Sequence, residues 1–284
     1  MAQRAKAFPE NAPGPFFVDT SCIDCGTCYT FAPEVYRDAD GHSAVHAQPA
    51  DPQRALMALL ACPTGSIGTD GKVGMQEALA AFPSPIEDEV SWCGFTSEDS
   101  YGAWSYFIRR PQGNVLMDSP RAAPPLLKNL AAAGGVAQMV LSHRDDVADH
   151  ARFHEHFGCQ RIAHADEHLQ GLEHYITGTG VTALAPDLKI IPTPGHTAGS
   201  LCLLYRDSFL FTGDTLWWNP ELAILSASKR YNWHNWNTQL KSLERLLDFE
   251  FRWVLPGHGA PHRAESAQAM RAELERGLKR LKAL

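Results

Sequence analysis

Apolar positions along the chain fall into short runs punctuated by proline, glycine and aspartate, the pattern of many brief elements rather than a few long ones. Phe16-Phe17-Val18 reads as an edge strand, and Glu34-Val35-Tyr36 leads into the polar turn Asp38-Ala39-Asp40-Gly41. Asp51-Pro52 supplies a cap and a first-turn proline for a helix that presents Leu56, Leu59 and Leu60 on one face. From Gly71 to Glu89 the pattern gives a short helix and then a linker, Phe82-Pro83-Ser84-Pro85 with acidic residues behind it. Strands follow at Val90 to Phe95, Trp104 to Ile108 and Asn114 to Asp118, then a helix from Pro124 to Ala133 stopped by Gly134-Gly135. Val136 to Leu141 reads as a buried strand and Val147 to Phe157 as a helix, with Asp145 or Asp146 as its cap. Further on, Lys189-Ile190-Ile191 is a strand ended by Pro192 and Pro194. Leu201 to Tyr205 and Phe209-Leu210-Phe211 flank the polar turn Arg206-Asp207-Ser208 and pair as an antiparallel hairpin. A helix from Thr238 to about Leu247, a last strand Arg252 to Leu255 and a charged amphipathic helix Ala264 to Leu284 complete the chain.

Two groups of polar residues stand out against this frame. In the hairpin, the loop entering the first strand carries His196 and the loop leaving the second carries Asp214, so an imidazole and a carboxylate meet at one edge. Such a pair on glycine-rich loops suits a metal site or a general base with its orienter. The second group is Cys22, Cys25 and Cys28, at equal short spacing, with Cys62 before a proline far downstream. Three thiolates on one loop can turn inward on a single inorganic cluster that a fourth closes, and four cysteines favour four irons. Zinc more commonly takes two closely spaced pairs.

A composition shift across the linker (71–87) suits a boundary between an N-terminal part, taken as a tail (1–14) and a small cysteine-bearing domain (15–70), and a larger domain (88–284). Hydrophobic residues make up 44%, enough for a core without disulfides, and the net charge of −7 argues against nucleic-acid binding. No apolar run is long enough to span a membrane, and the N-terminal residues lack the apolar core of a secretory signal. Seven cysteines then point to a reducing, cytoplasmic compartment.

The segment CIDCGTCYTFAPEVY with ALLACPTGSI is similar to single-cluster [4Fe–4S] ferredoxins, which implies that Cys22, Cys25, Cys28 and Cys62 bind the cluster. PTPGHTAGS and TGDT resemble the third His motif and the bridging Asp motif of the metallo-β-lactamase fold family. Leu255-Pro256-Gly257-His258 resembles its last His motif, and Leu141-Ser142-His143 its first. The resemblance implies an α/β fold, an αββα sandwich preceded by a small α+β ferredoxin-like domain. It also implies one or two divalent metals, zinc or else iron or manganese. The family's HxHxDH motif is replaced here by HRDDVADH. One register makes His143 and Asp145 ligands of a first metal and Asp149 and His150 ligands of a second. Another takes Asp145-Asp146 as the displaced Asp-His pair. With the first register favoured, the implied ligands are His143, Asp145, Asp149, His150, His196, Asp214 and His258, with Asp149 and Asp214 as catalytic carboxylates.

Two enzyme functions follow from the resemblance, with a third, non-catalytic one beside them. The favoured one is hydrolysis of a small-molecule ester, thioester or phosphodiester by metal-bound hydroxide, with an accessory cluster. The alternatives are di-iron oxidoreduction fed by the ferredoxin domain, as in the flavodiiron oxygen and nitric oxide reductases, and a redox sensor without catalysis. An electron-transfer partner stays open. The four tryptophans Trp217, Trp218, Trp233 and Trp236 suit either a substrate wall or ordinary core.

Overall fold

The computed structural model describes residues 1–71 and 74–284, so the helix-and-linker stretch expected from Gly71 contains two residues, Lys72 and Val73, outside the described ones. The chain forms two compact units, residues 1–137 with 148–158, and residues 138–147 with 159–284.

In the first unit, Phe16–Val18 pairs antiparallel with Ile67–Thr69, and Tyr36–Asp38 pairs with Ser43–Val45 across the expected polar turn. Asp40 and Gly41 in that turn both take positive φ, the conformation aspartate and glycine tolerate. The helix Gln53–Ala61 starts one residue after Pro52, and Asp51 Oδ1 accepts from Gln53 N at 3.0 Å. The stretch read as a linker holds a short helix, Gln76–Ala80, and a strand, Ser84–Glu87, which opens an antiparallel meander with Val90–Trp92, Tyr106–Ile108 and Val115–Met117. Phe82 and Trp92 are buried edge to face with ring centroids 5.5 Å apart, and Phe31 lies 4.3 Å from Trp92. Aromatic rings from the cysteine-bearing segment and from the meander therefore share one core.

The second unit contains a parallel set, Gln138–Val140, Gln160–His164 and His174–Ile176. It also contains a six-stranded sheet of Thr182–Ala185, Leu188–Pro192, Leu201–Tyr205, Phe209–Gly213, Trp253–Pro256 and His262–Arg263. Every residue of Leu201–Tyr205 and Phe209–Gly213 is buried, which explains why these strands read as continuous apolar runs without alternation. Cys202, Leu204, Leu210 and Val254 pack with Leu243 of the helix Trp236–Arg245 and with Met270, Leu274 and Leu278 of the helix Ala267–Leu281. Phe209–Gly213 and Trp253–Pro256 are parallel neighbours, and the helix Trp236–Arg245 lies in the crossover that parallel pairing requires. The helix begins two residues before the expected Thr238, because Asn235 caps it by accepting from Thr238 N at 2.8 Å.

Candidate metal centre and iron–sulfur site

Four loops at the ends of strands build the centre in the second unit. Leu188–Pro192 and Leu201–Tyr205 bracket the loop with His196, and Phe209–Gly213 delivers Asp214 directly. Trp253–Pro256 runs parallel to Phe209–Gly213 with Gly213 opposite Pro256, and Gly257 N donates to Gly213 O at 2.8 Å. Parallel neighbours end at the same edge, so Asp214 and His258 emerge side by side. Leu201 N donates to Ser142 O at 2.9 Å, which draws His143 to that edge as well.

Asp214 Oδ2 lies 3.8 Å from His143 Nε2, 3.9 Å from His196 Nε2 and 3.7 Å from His258 Nε2. Among the described residues, His143 Nε2, His196 Nε2 and Asp214 Oδ1 are buried polar atoms with no hydrogen-bond partner. Leaving such atoms unpaired costs about 1–3 kcal/mol each, a cost that coordination would remove. Two trios, His143 with Asp145 and His196, and His143 with Asp146 and Asp214, each bring one donor atom per residue within 4.8 Å of the others. Bonds of about 2.1 Å to one ion would close either trio with small movements, so these residues fit a metal.

Charge in the cluster favours ligation too. Burial, reinforced by the neighbouring His143, pushes the His196 imidazole below its ordinary pKa and keeps it neutral, the form that binds metal. Burial alone would raise the Asp214 carboxyl, but the surrounding imidazoles, His258 first, outweigh it and hold the group ionised. His143 Nδ1 lies 2.9 Å from Ser142 Oγ, which fixes the ring with Nε2 toward Asp214.

The expected site residues divide. His143, Asp145, His196, Asp214 and His258 converge in the second unit, with Asp145 the most exposed of them. Asp149 and His150 belong to the first unit, where Asp149 Oδ2 accepts from Ala122 N at 2.8 Å and from Arg152 Nη1 at 3.3 Å. The helix that follows starts at His150, later than Val147, because Ala148 takes a φ of 26° that helix does not permit. Neither Asp145 nor Asp146 caps it. Asp146 is buried beside His143 instead, its Oδ2 3.9 Å from His143 Nδ1.

Sequence reasoning missed Glu167 altogether. It is buried and accepts from Thr197 Oγ1 at 2.5 Å, Gly199 N at 2.7 Å, and Arg144 N and Nε at 2.9 Å each. Burial would raise its carboxyl, yet the bonds from Thr197 and Arg144 prevail and lower its pKa. His164 is buried and accepts from Asp166 N through Nδ1. An open cavity of about 490 Å³ is lined by Arg144, Asp145, Thr197, Ala198, Trp233 and His234. Of the four tryptophans, Trp233 faces this cavity while Trp217, Trp218 and Trp236 pack against the core.

The cysteine site lies wholly in the first unit. Cys22, Cys25, Cys28 and Cys62 line one small pocket with Thr27, Ser43 and Ser66. Among the described residues, no three of their sulfurs come within 4.8 Å of one another. The three-plus-one spacing, with all four cysteines on one pocket, fits a polynuclear cluster rather than the two close pairs that zinc more commonly takes. Ser43 N and Asp24 N donate to Cys22 Sγ at 3.4 and 3.5 Å, and Ser66 N donates to Cys62 Sγ at 3.3 Å, the amide–sulfur bonds that stabilise cluster thiolates. Burial raises the Cys25 and Cys28 thiols, so ionisation there depends on the metal's charge.

Comparison with known proteins covers both stretches. Residues 18–69 match the 4Fe-4S single cluster domain of ferredoxin I, and residues 142–258 match the metallo-beta-lactamase superfamily. A hydroxyacylglutathione hydrolase of Rhizobium etli is 30% identical over 141 residues, 46% of this chain and 52% of that protein. A hydroxyacylglutathione hydrolase of Pseudoalteromonas translucida is 28% identical over 167 residues, 57% of this chain and 58% of that protein. The chain thus spans little more than half the length of these relatives. The BLEG-1 B3 metallo-beta-lactamase structure superimposes with a TM-score of 0.50 at 18% identity, over 61% of this chain and 93% of its own. The chain therefore carries a ferredoxin-type 4Fe-4S domain at residues 18–69 and, over residues 142–258, a metallo-β-lactamase superfamily domain with that fold.

Proposed function

We propose that the protein is a metal-dependent hydrolase of a small acyl thioester, with an iron–sulfur cluster that is structural or sensing. The observation that carries this reading is the single oxygen, Asp214 Oδ2, within 3.7–3.9 Å of three imidazole nitrogens. His143, Asp145, Asp146, His196, Asp214 and His258 are the residues that would hold the metal. When bound, a zinc ion lowers the pKa of coordinated water to about 7 and polarises a carbonyl. The chain's own part is positional. The neutral His196 and the ionised Asp214 need no proton removed before ligation, and Ser142 holds the His143 ring in line. The cavity beside Asp145 gives an acyl group access, and the Trp233 ring offers apolar area for it. Of the ester classes open to such a site, thioesters are supported by the hydroxyacylglutathione hydrolases among the relatives. Seven free cysteines support a reducing, cytoplasmic setting.

One observation favours a second reading. His143, Asp145 and His196 form a set of two imidazoles and one carboxylate, the donor set of non-haem iron oxygen chemistry. In that reading the second metal site holds iron, and the cluster supplies electrons. Metal analysis of anaerobically purified protein separates the two. Zinc beside the cluster's four irons, with thioesterase activity lost in His196→Ala and His258→Ala, supports the hydrolase. Iron in place of zinc, with no thioester turnover and rapid reoxidation of the reduced cluster by oxygen or nitric oxide, supports the second reading.

A further inference from the structure

We infer that Glu167 is the positioning residue of the metal centre: its buried carboxylate ties the loop of His143 to the loop of His196 and so sets the separation of two ligands. The inference rests on the metal site proposed above. Glu167 Oε2 accepts from Arg144 N and Nε, and Arg144 follows His143 directly. Glu167 Oε1 accepts from Thr197 Oγ1 and Gly199 N, and Thr197 follows His196 directly. One oxygen therefore serves each ligand loop, and the carbon between them fixes the gap.

The surroundings are shaped to this carboxylate. A Cβ on Gly199 would lie 2.9 Å from Glu167 Oε1 and Cγ, so glycine is what allows the loop to approach. Glu167 itself ends a short turn, Ala165–Glu167, whose first residues are clamped. His164 Nδ1 accepts from Asp166 N at 3.2 Å, which leaves Nε2 to donate to Gly178 O at 2.9 Å. The loop of His196 is braced from within as well, Thr197 N donating to Ser200 Oγ at 2.9 Å. Thr197 Oγ1 has one proton and gives it to Glu167, so the 2.6 Å contact with Ser200 Oγ is donated by the serine. Three of the four donors to Glu167, Arg144 N, Arg144 Nε and Gly199 N, are N–H groups that cannot accept in return, and at least one of them faces each carboxylate oxygen. A glutamine offers one acceptor oxygen and an amide that would face two of these donors. Glu167→Gln thus keeps size and shape while breaking the tie on one side.

The test compares the full-length purified protein with Glu167→Gln, timing release of zinc or iron from the second site to a chelator beside kcat, KM and Tm. Outer-shell partners of metal ligands are typically worth about 10–100-fold in metal affinity. Glu167→Gln is expected to release its metal at least ~10-fold faster, with kcat reduced and KM nearly unchanged. Wild-type release and kcat with only a lowered Tm would assign Glu167 to fold stability and overturn the inference. Should Glu167→Gln fail to fold, Thr197→Val and Thr197→Ser decide, since only serine keeps the hydroxyl. Faster release in the valine variant, restored in the serine variant, supports the inference, and equal release in both overturns it. A wild-type chain with no metal beyond its cluster overturns this inference and the hydrolase reading together. A chain that holds metal yet cleaves no thioester overturns the hydrolase reading alone, and the release rates still decide for Glu167.

Discussion

A Cβ placed on Gly257 would lie 2.8 Å from Asp214 Oδ1 and 2.7 Å from Asp146 Oδ2. The backbone between the strand Trp253–Pro256 and His258 therefore passes against two carboxylates with no room for a methyl group. Overpacking of this kind costs roughly 1–3 kcal/mol, and here the displaced groups are the candidate ligands themselves. Gly257→Ala is expected to lower second-site metal content and activity at least ~10-fold while leaving the visible absorption of the cluster intact. Metal analysis and absorption spectra of the variant check this. Full metal occupancy in Gly257→Ala would mean that neither carboxylate is held where the ion binds.

Asp146 and Asp149 distinguish the two readings of HRDDVADH. Asp146 is buried with its carboxylate near His143 and Asp214, whereas Asp149 accepts the Ala122 amide and Arg152. Asp146→Asn should therefore cost more second-site metal than Asp149→Asn, and Asp214→Ala more than either. Asp149→Asn should instead loosen the backbone at Ala122, seen as a modest drop in Tm. The reverse order of metal loss would favour the register in which Asp149 and His150 serve a second ion.

What could be read from the sequence followed from proximity along the chain. His196 and Asp214 flank one hairpin, and strand pairing alone brings hairpin ends together, so their meeting was legible. The three-plus-one cysteine spacing was legible for a similar reason, with three sulfurs on one loop. Glu167 was not. It sits in an undistinguished polar stretch, ADEHL, and its partners are far away at Arg144 and Thr197. No local periodicity marks a carboxylate that is buried because two distant loops donate to it. Asp146 was hidden differently, since an aspartate ahead of a helical pattern reads as a cap, and only the φ of Ala148 shows that the helix starts later. Short strands such as Ser84–Glu87 and Thr182–Ala185 carry proline or alanine and too few residues to show alternation.

The pH dependence of the Glu167 contribution has a definite sign. Burial would raise its carboxyl, but the bonds from Thr197 and Arg144 place it below the ordinary 4.5. A depressed folded pKa stabilises above the unfolded value, and that stabilisation is lost as pH falls through the folded value. The Tm difference between wild type and Glu167→Gln should accordingly stay constant from about pH 8 to about pH 5.5, because the carboxylate is ionised in both folded and unfolded chains there. Thermal unfolding at several pH values measures it. A difference that shrinks steadily across that range would show that a histidine, rather than this carboxylate, governs the change.

Gly102 couples the cluster site to residues well beyond the matched ferredoxin segment. Thr27 Oγ1 donates to Gly102 O at 2.9 Å, and the Tyr101 hydroxyl donates to Ile23 O, so this stretch clasps the loop that bears Cys22, Cys25 and Cys28. A Cβ on Gly102 would meet Cys25 Sγ and Cβ at 2.8 Å, and its φ of 81° is one that other residues resist. Gly102→Ala should therefore strain the backbone and press on a cluster ligand at once. Gly158 provides the control, with a φ of 67° and no atom within 4 Å of an added Cβ. Both alanine variants should lose about 1 kcal/mol or somewhat more from backbone strain. Only Gly102→Ala should also lose its brown colour faster in air and yield less iron per chain on purification. Equal cluster lifetimes in the two variants would show that the clasp around Cys25 gives way without disturbing the sulfur. A shorter lifetime confined to Gly102→Ala would instead place the control of cluster stability partly outside residues 18–69.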